Sequence, residues 1–98
     1  MAAIRFEWDE RKSASNVRKH GVSFHEAESV FADEDALLMH DPDHSDEEDR
    51  FVLMGLSMSL RVLLVFHCSR RSEDVIRIFS ARKASRAERE HYAQRWLR

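Results

Sequence analysis

The sequence predicts an α+β fold, with a mainly antiparallel sheet of four to five strands, two N-terminal helices and one C-terminal helix. Three short apolar segments separated by polar connections lie between residues 51 and 81, as in a meander of strands. Residues that begin or end helices precede and follow these segments. A chain of 98 residues has room for one modest core, so one domain, 1–98, is expected.

The first predicted elements are a strand and a polar helix. Apolar and polar residues alternate from residue 3 to residue 8. Asp9 is a suitable N-cap and Gly21 a suitable stop, so a helix is predicted to run to about His20. Of its apolar residues only Ala14 and Val17 fall together, which leaves almost no apolar face. Four polar residues lie within about 100° of one another on this helix, namely Lys12, Asn16, Lys19 and His20.

A second helix and an acidic loop follow. Ser23 and Glu26 form a capping-box pattern at the start of this helix. The predicted core residues on one face of the helix are Phe24, Ala27, Val30 and Phe31. A brief strand from Ala36 to Met39 leads into the loop 40–49, whose proline and acidic residues disfavour both helix and sheet. This loop is expected to be the most flexible part of the chain.

The second half of the chain predicts three strands and a closing helix. The strands are expected at 51–58, 61–68 and 75–81. The segment 62–66 is apolar at every position, which is typical of a central strand covered on both faces. A second capping-box pattern, Ser85 and Glu88, opens the closing helix. The residues expected to pack inwards from this helix are Tyr92, Ala93, Trp96 and Leu97.

Composition indicates a soluble globular protein. Hydrophobic residues make up 43% of the chain and charged residues 35%. The single cysteine, Cys68, cannot form an internal disulfide, and no apolar run is long enough to span a membrane. A reducing, cytoplasmic location is therefore expected, without membrane association.

The charge is unevenly distributed. The stretch 33–50 contains nine acidic residues and one arginine and so carries −8, which leaves +6 on the rest of a chain whose net charge is −2. A basic body can attract a nucleic acid if the acidic loop stays away from the contact. The alternative is a solvated acidic loop beside ordinary surface cations.

Basic residues surround the predicted start of the closing helix. Arg82, Lys83 and Arg86 lie where a strand ends and free backbone N–H groups begin, which favours a phosphate. The alternative is that Ser85 and Glu88 only cap each other while the cations stay in water. Arg77 interrupts an apolar strand, so it needs an anionic ligand or an acidic partner such as Glu7 or Glu88.

The polar stripe on the first helix offers what metal-free RNA cleavage requires: groups that move protons, and cations that stabilise the phosphorane. His20 and His67 are the candidate histidines, although each can also be an ordinary structural or surface residue. A metal site is not predicted, because the suitable residues lie in a loop run without fixed geometry. Those residues are His40, Asp41, Asp43 and His44. No cofactor is expected.

Motifs in the same order from about residue 5 to residue 92 resemble the BrnT family of bacterial toxins. They are Phe6-Glu-Trp-Asp9, Lys12, Asn16, Lys19 to Phe24, Glu26-Ala27, Phe31, Asp33, Arg50, Gly55-Leu-Ser57, Arg77-Ile, Ser80 to Ala84, Glu88-Arg89 and Tyr92. Two positions depart from the family pattern. Leu60 replaces a glycine of the central hairpin, which disfavours a turn with positive φ, and Phe79 replaces a smaller aliphatic residue.

The resemblance implies a ribonuclease toxin of a type II toxin–antitoxin module, with a RelE-like fold, that inhibits translation. It also implies a BrnA-type antitoxin with a ribbon-helix-helix DNA-binding region, so that operator DNA is bound only through the antitoxin. The residues carried over as catalytic are Glu88, His20, Arg77, Arg82 and Lys12, with Glu88 or His20 in proton transfer. Asn16, Lys19, Lys83 and Arg86 are expected to bind RNA. The alternative function is a non-catalytic binding module that acts as a co-repressor with its antitoxin.

Overall fold

The computed structural model describes residues 3–41, 50–70 and 74–97. Its strands are β1 (Arg5–Glu7), β2 (Leu37–His40), β3 (Arg50–Leu56), β4 (Val62–Arg70) and β5 (Val75–Lys83). Its α-helices are α1 (Glu10–His20), α2 (Phe24–Ser29) and α3 (Arg86–Ala93), with 3₁₀ turns at Val30–Ala32 and Gln94–Leu97. The predicted α+β class, with two helices before the main strands and one after them, is confirmed.

The five strands form one sheet in the order β1-β5-β4-β3-β2. All neighbouring pairs are antiparallel except β1 and β5, which run parallel. The apolar strand β4 lies in the centre, as its sequence predicts. Leu63 and Val65 point to one face and Leu64 to the other, and all three are buried, so both faces of β4 are covered.

Each face of the sheet has its own hydrophobic cluster. On one face, Leu63, Val65 and Ile78 pack with Phe24 and Ala27 of α2. On the other face, Val52, Met54 and Leu64 pack with Ala84 and with Tyr92 of α3. Helix α2 therefore lies on one side of the sheet and α3 on the other.

The predicted ends of α1 are confirmed. The Asp9 side chain accepts hydrogen bonds from the backbone N–H groups of Arg11 and Lys12, and Gly21 ends the helix in the left-handed conformation with φ 71°. The capping box of Ser85 and Glu88 is present in full.

The capping box expected at α2 is only half formed. Ser23 accepts a hydrogen bond from the backbone N–H of Glu26, but the Glu26 carboxylate accepts from the side chains of Ser57 and Arg61 instead of returning to the cap. Hydrogen bonding to Arg61 lowers the pKa of Glu26 although burial opposes the shift. Glu26 therefore links α2 to the β3–β4 hairpin.

Two other local expectations need correction. Ala93 is exposed, because α3 packs through Tyr92; the side chains of Trp96 and Leu97 lie outside the described residues. Leu60 adopts φ 62°, so the tight turn is formed with a leucine where a glycine was expected to be needed. Residues 42–49 of the acidic loop are outside the described ranges.

Among the residues described, none of the helices has both the length and the apolar character needed to cross a membrane.

Candidate nucleic-acid interface

A polar groove runs between α1 and the edge of β5. Its volume is about 190 Å³, which is smaller than the roughly 300–1,000 Å³ of most small-molecule pockets. It is lined by Lys12, Ser15, Asn16, Lys19 and His20 from α1 and by Phe79 and Ser80 from β5. The structure thus brings all four residues of the predicted polar stripe to one groove.

Asn16 is hydrogen-bonded within the fold, and its expected contact with RNA stays a prediction. Its Nδ2 donates to the carbonyl oxygens of Val22 (2.8 Å) and Ala81 (2.7 Å), and its Oδ1 accepts from the Ala81 N–H (3.2 Å). Both amide hydrogens are therefore engaged. The side chain takes the place of a neighbouring strand beside β5 and holds α1 against the sheet edge.

Ser13 also attaches α1 to the segment that follows it. Its buried hydroxyl accepts a hydrogen bond from the backbone N–H of Phe24 (3.0 Å). Helix α1 therefore docks through polar side chains, which explains why its sequence has no apolar face. Val17 remains 46% exposed.

A row of charged residues crosses the α3 side of the sheet near the groove. In the strand register, Cys68 pairs with Arg50 on one side and with Arg77 on the other, and Arg77 pairs with Glu7. Directly paired residues point to the same face. Arg77 Nη1 lies 3.4 Å from Glu7 Oε1, so Glu7 is the acidic partner that this arginine was expected to need, and both side chains are partly exposed.

Arg82 and Glu88 form a bidentate salt bridge. The guanidinium donates from Nη1 to Oε1 at 2.8 Å and from Nη2 to Oε2 at 3.0 Å. Hydrogen bonding to Arg82, and then to the backbone of Ser85, lowers the pKa of Glu88 to about 2. Glu88 is therefore an anion at neutral pH whose oxygens are already engaged.

The basic cluster expected at the start of α3 is divided. Successive strand residues point to opposite faces, so Arg82 lies with Glu88 while Lys83 points towards the end of α1. A side chain at Gly21 would place its Cβ 3.8 Å from Lys83 Cε. Arg86 is largely exposed and forms a helix-surface ion pair with Glu90. These three cations do not form one phosphate site in the free protein.

The two candidate histidines have opposite surroundings. His20 is exposed at the end of α1 and lines the groove. His67 is buried between the rings of Phe31 and Phe51, and this burial lowers its pKa. His67 is therefore a core residue, and His20 is the histidine available to a ligand.

Sequence reasoning missed the aromatic residues that accompany these cations. The Arg50 guanidinium lies 4.5 Å from the centre of the Phe79 ring, and that of Arg82 lies 6.0 Å from the Phe66 ring. Each pair joins residues on different strands. The only local signal was an aromatic residue, Phe79, where the resembling family has a smaller one.

Within residues 3–41, 50–70 and 74–97, no group of three or more histidine, cysteine or carboxylate side chains is placed to hold a metal ion. Of the loop residues considered as ligands, His40 is exposed and Asp41 is buried. Asp43 and His44 lie outside the described residues.

The groove and the adjoining sheet face combine lysines, arginines, one accessible imidazole and an aromatic ring. Such a surface can bind a phosphate backbone, stack a base and move a proton at the bound phosphodiester.

Comparison with known proteins identifies a matching family and a solved structure of similar fold. The model of the family described as "Ribonuclease toxin, BrnT, of type II toxin-antitoxin system" matches residues 8–88. The crystal structure of the Brucella abortus ribonuclease toxin BrnT has a similar fold, with a TM-score of 0.64 and 24% sequence identity. The match covers 86% of this chain and 100% of that one. No curated protein sequence matches the chain significantly.

Proposed function

Because the chain belongs to the BrnT family of ribonuclease toxins of type II toxin–antitoxin systems, we propose that it cleaves RNA internally, without a metal ion, and thereby inhibits translation. The observation that best supports this function is the groove between α1 and β5, where two lysines and one exposed histidine meet beside an aromatic ring. A phosphodiester in this groove lies next to cations and to a proton-transfer group.

In the proposed reaction the 2′-hydroxyl oxygen attacks the adjacent phosphorus and the bond to the 5′-oxygen breaks. His20 removes the 2′-hydroxyl proton, and a solvent water on the opposite side of the phosphorus protonates the leaving 5′-oxygen. Lys12 and Lys19 stabilise the charge that develops on the phosphorane oxygens. The products carry a 2′,3′-cyclic phosphate and a 5′-hydroxyl.

His20 suits proton transfer better than Glu88. A carboxylate whose pKa is about 2 is a weak base at neutral pH. The same carboxylate holds both terminal nitrogens of Arg82. We assign Glu88 to the positioning of Arg82, which contacts RNA together with Arg77 at the sheet face.

The family type implies a protein antitoxin. We propose that it is BrnA-like, that it covers the basic groove, and that its ribbon-helix-helix region provides the contact to operator DNA. Since the substrate and the translation machinery are cytoplasmic, so is the proposed site of action.

Cleavage of single-stranded RNA by the purified protein in a chelator tests this function. The His20→Ala variant is expected to have a kcat roughly 10²–10⁴-fold lower, because this is the usual contribution of a proton-transfer group. His25→Ala is the matched control, because His25 is an exposed histidine of α2 outside the groove.

Equal activity of the two variants would contradict the role of His20. Activity that disappears in chelator and returns with one divalent ion would contradict the metal-free reaction. Binding of RNA or antitoxin without any cleavage by the unmodified protein would favour the co-repressor alternative.

A further inference from the structure

Phe79 occupies an irregular position in the sheet. In the pairing of β4 with β5, Phe66 lies opposite Ser80 and His67 lies opposite Ile78, which leaves Phe79 as the extra residue of a β-bulge. Ile78 and Ala81 consequently both point into the core on the α1 and α2 side although they are three residues apart. Bulges of this kind often re-aim a side chain next to a functional site.

The Phe79 ring does not serve either hydrophobic core. Among the described residues it belongs to neither of the two clusters, and it is only partly buried. Its position on the wall of the groove brings it beside Lys12, Lys19 and His20. A large apolar ring among polar and cationic side chains therefore lacks a packing explanation.

Arg50 holds the ring in place. Its guanidinium lies 4.5 Å from the ring centre and covers one face. Since Arg50 does not line the groove, the ring presents its other face or its edge there. A cation on one face of an aromatic ring is attracted to the π electrons and orients the ring before any ligand arrives.

An aromatic ring beside a track of cations is the arrangement by which proteins bind single-stranded nucleic acids, because every base has a π face and every nucleotide a phosphate. On the premise that the protein acts on RNA as proposed above, we propose that Phe79, oriented by Arg50, is a stacking platform for one unpaired nucleobase in the groove. The lysines then bind the flanking phosphates. The platform selects single-stranded RNA, since a base within a duplex is not free to stack on the ring.

The test compares two non-cleavable 2′-O-methyl strands of equal length, one of adenosines and one of abasic riboses with the same phosphates. The protein is expected to bind the adenosine strand more tightly. Phe79→Leu is expected to weaken that binding about 5- to 150-fold, which corresponds to roughly 1–3 kcal/mol per stacked base, and to leave abasic binding unchanged. Phe79→Trp should retain the preference for bases.

Phe51→Leu is the matched control. Phe51 is next to Arg50 in the sequence but stacks with His67 on the opposite face of the sheet, so this variant should bind both strands as the unmodified protein does. Unchanged abasic binding also shows that the Phe79 variant is folded.

If Phe79→Leu weakens the binding of both strands equally, or changes the binding of neither, the stacking role is overturned. Loss of antitoxin binding with unchanged RNA binding also overturns it and assigns the ring to the protein partner. If the unmodified protein binds both strands equally, only the stacking proposal fails. If it binds neither strand and cleaves no RNA, the proposed ribonuclease function fails as well.

Discussion

At the residue scale, the pairing of Arg82 with Glu88 determines what each group can do. Glu88 is ionised over the whole neutral range because its pKa is about 2. Arg82 in turn has its terminal nitrogens directed at the carboxylate, so a phosphate must either share Arg82 or displace Glu88 from it. The capping bond from Ser85 keeps Glu88 in place and thereby fixes the guanidinium near the Phe66 ring.

This pair predicts a pH dependence of stability. The pKa of Glu88 is about 2 in the folded protein against an ordinary value of 4.5, so the unfolded chain binds the proton more readily. The stability that the ionised group contributes is fully present above the ordinary value and is lost as the pH falls towards 2. Urea unfolding of Glu88→Gln across this range should show a weaker pH dependence than the unmodified protein.

Glu90→Gln is the control for this measurement. Glu90 is on the same helix, but its ion pair with Arg86 is largely exposed and is screened by water. Glu26 and Asp33 titrate in all three proteins, so the difference between variants isolates Glu88. Identical acid profiles for Glu88→Gln and the unmodified protein would contradict the lowered pKa.

At the element scale, α1 is attached to the sheet by hydrogen bonds where most amphipathic helices use apolar contacts. Asn16 bonds the backbone of both Val22 and Ala81, and Ser13 bonds that of Phe24. The polar groove exists because this attachment holds the basic side of α1 beside β5.

Asn16→Ala is therefore expected to lower the free energy of unfolding by about 2–4 kcal/mol, because buried backbone groups left without a partner cost about 1–3 kcal/mol each. Val17→Ala, one residue further along the same helix and 46% exposed, should change it by less than about 0.5 kcal/mol. Chemical unfolding of both variants measures the contrast. Similar values for the two would mean that α1 is held by other contacts.

At the scale of the whole molecule, the sheet separates two environments. Apolar packing with α2 fills one face. The other face is covered by α3 at one end and carries Arg50 and Arg77 near the other. The groove lies at the edge where the β5 backbone meets α1. A partner that covers this edge and the arginine face hides every cation of the proposed RNA surface.

Expression of the unmodified chain is therefore expected to stop bacterial growth, and co-expression of its antitoxin to restore it. His20→Ala should be tolerated at equal protein levels, because the proposed proton-transfer group is missing. Growth curves with immunoblots measure both effects. Normal growth at high levels of the unmodified protein would argue against toxicity.

The sequence by itself determined the order of the elements, both ends of α1 and the start of α3. Asp9, Gly21 and the pair Ser85 and Glu88 act on backbone groups within a few residues, so their patterns predict helix ends directly. The apolar run of β4 likewise predicts a central strand, because a strand buried on both faces has no polar side. The family resemblance added the toxin type, which the family match confirms.

Only the tertiary structure decided how these elements combine into a surface. Asn16 meets Ala81 across 65 positions of sequence, Arg50 reaches Phe79, and the bulge at Phe79 alters the pairing of two strands. Such contacts depend on strand register and on the docking of a helix against a sheet edge. The bulge shifts the register away from the one that alternating side chains and turn length would set, so the local pattern does not show it.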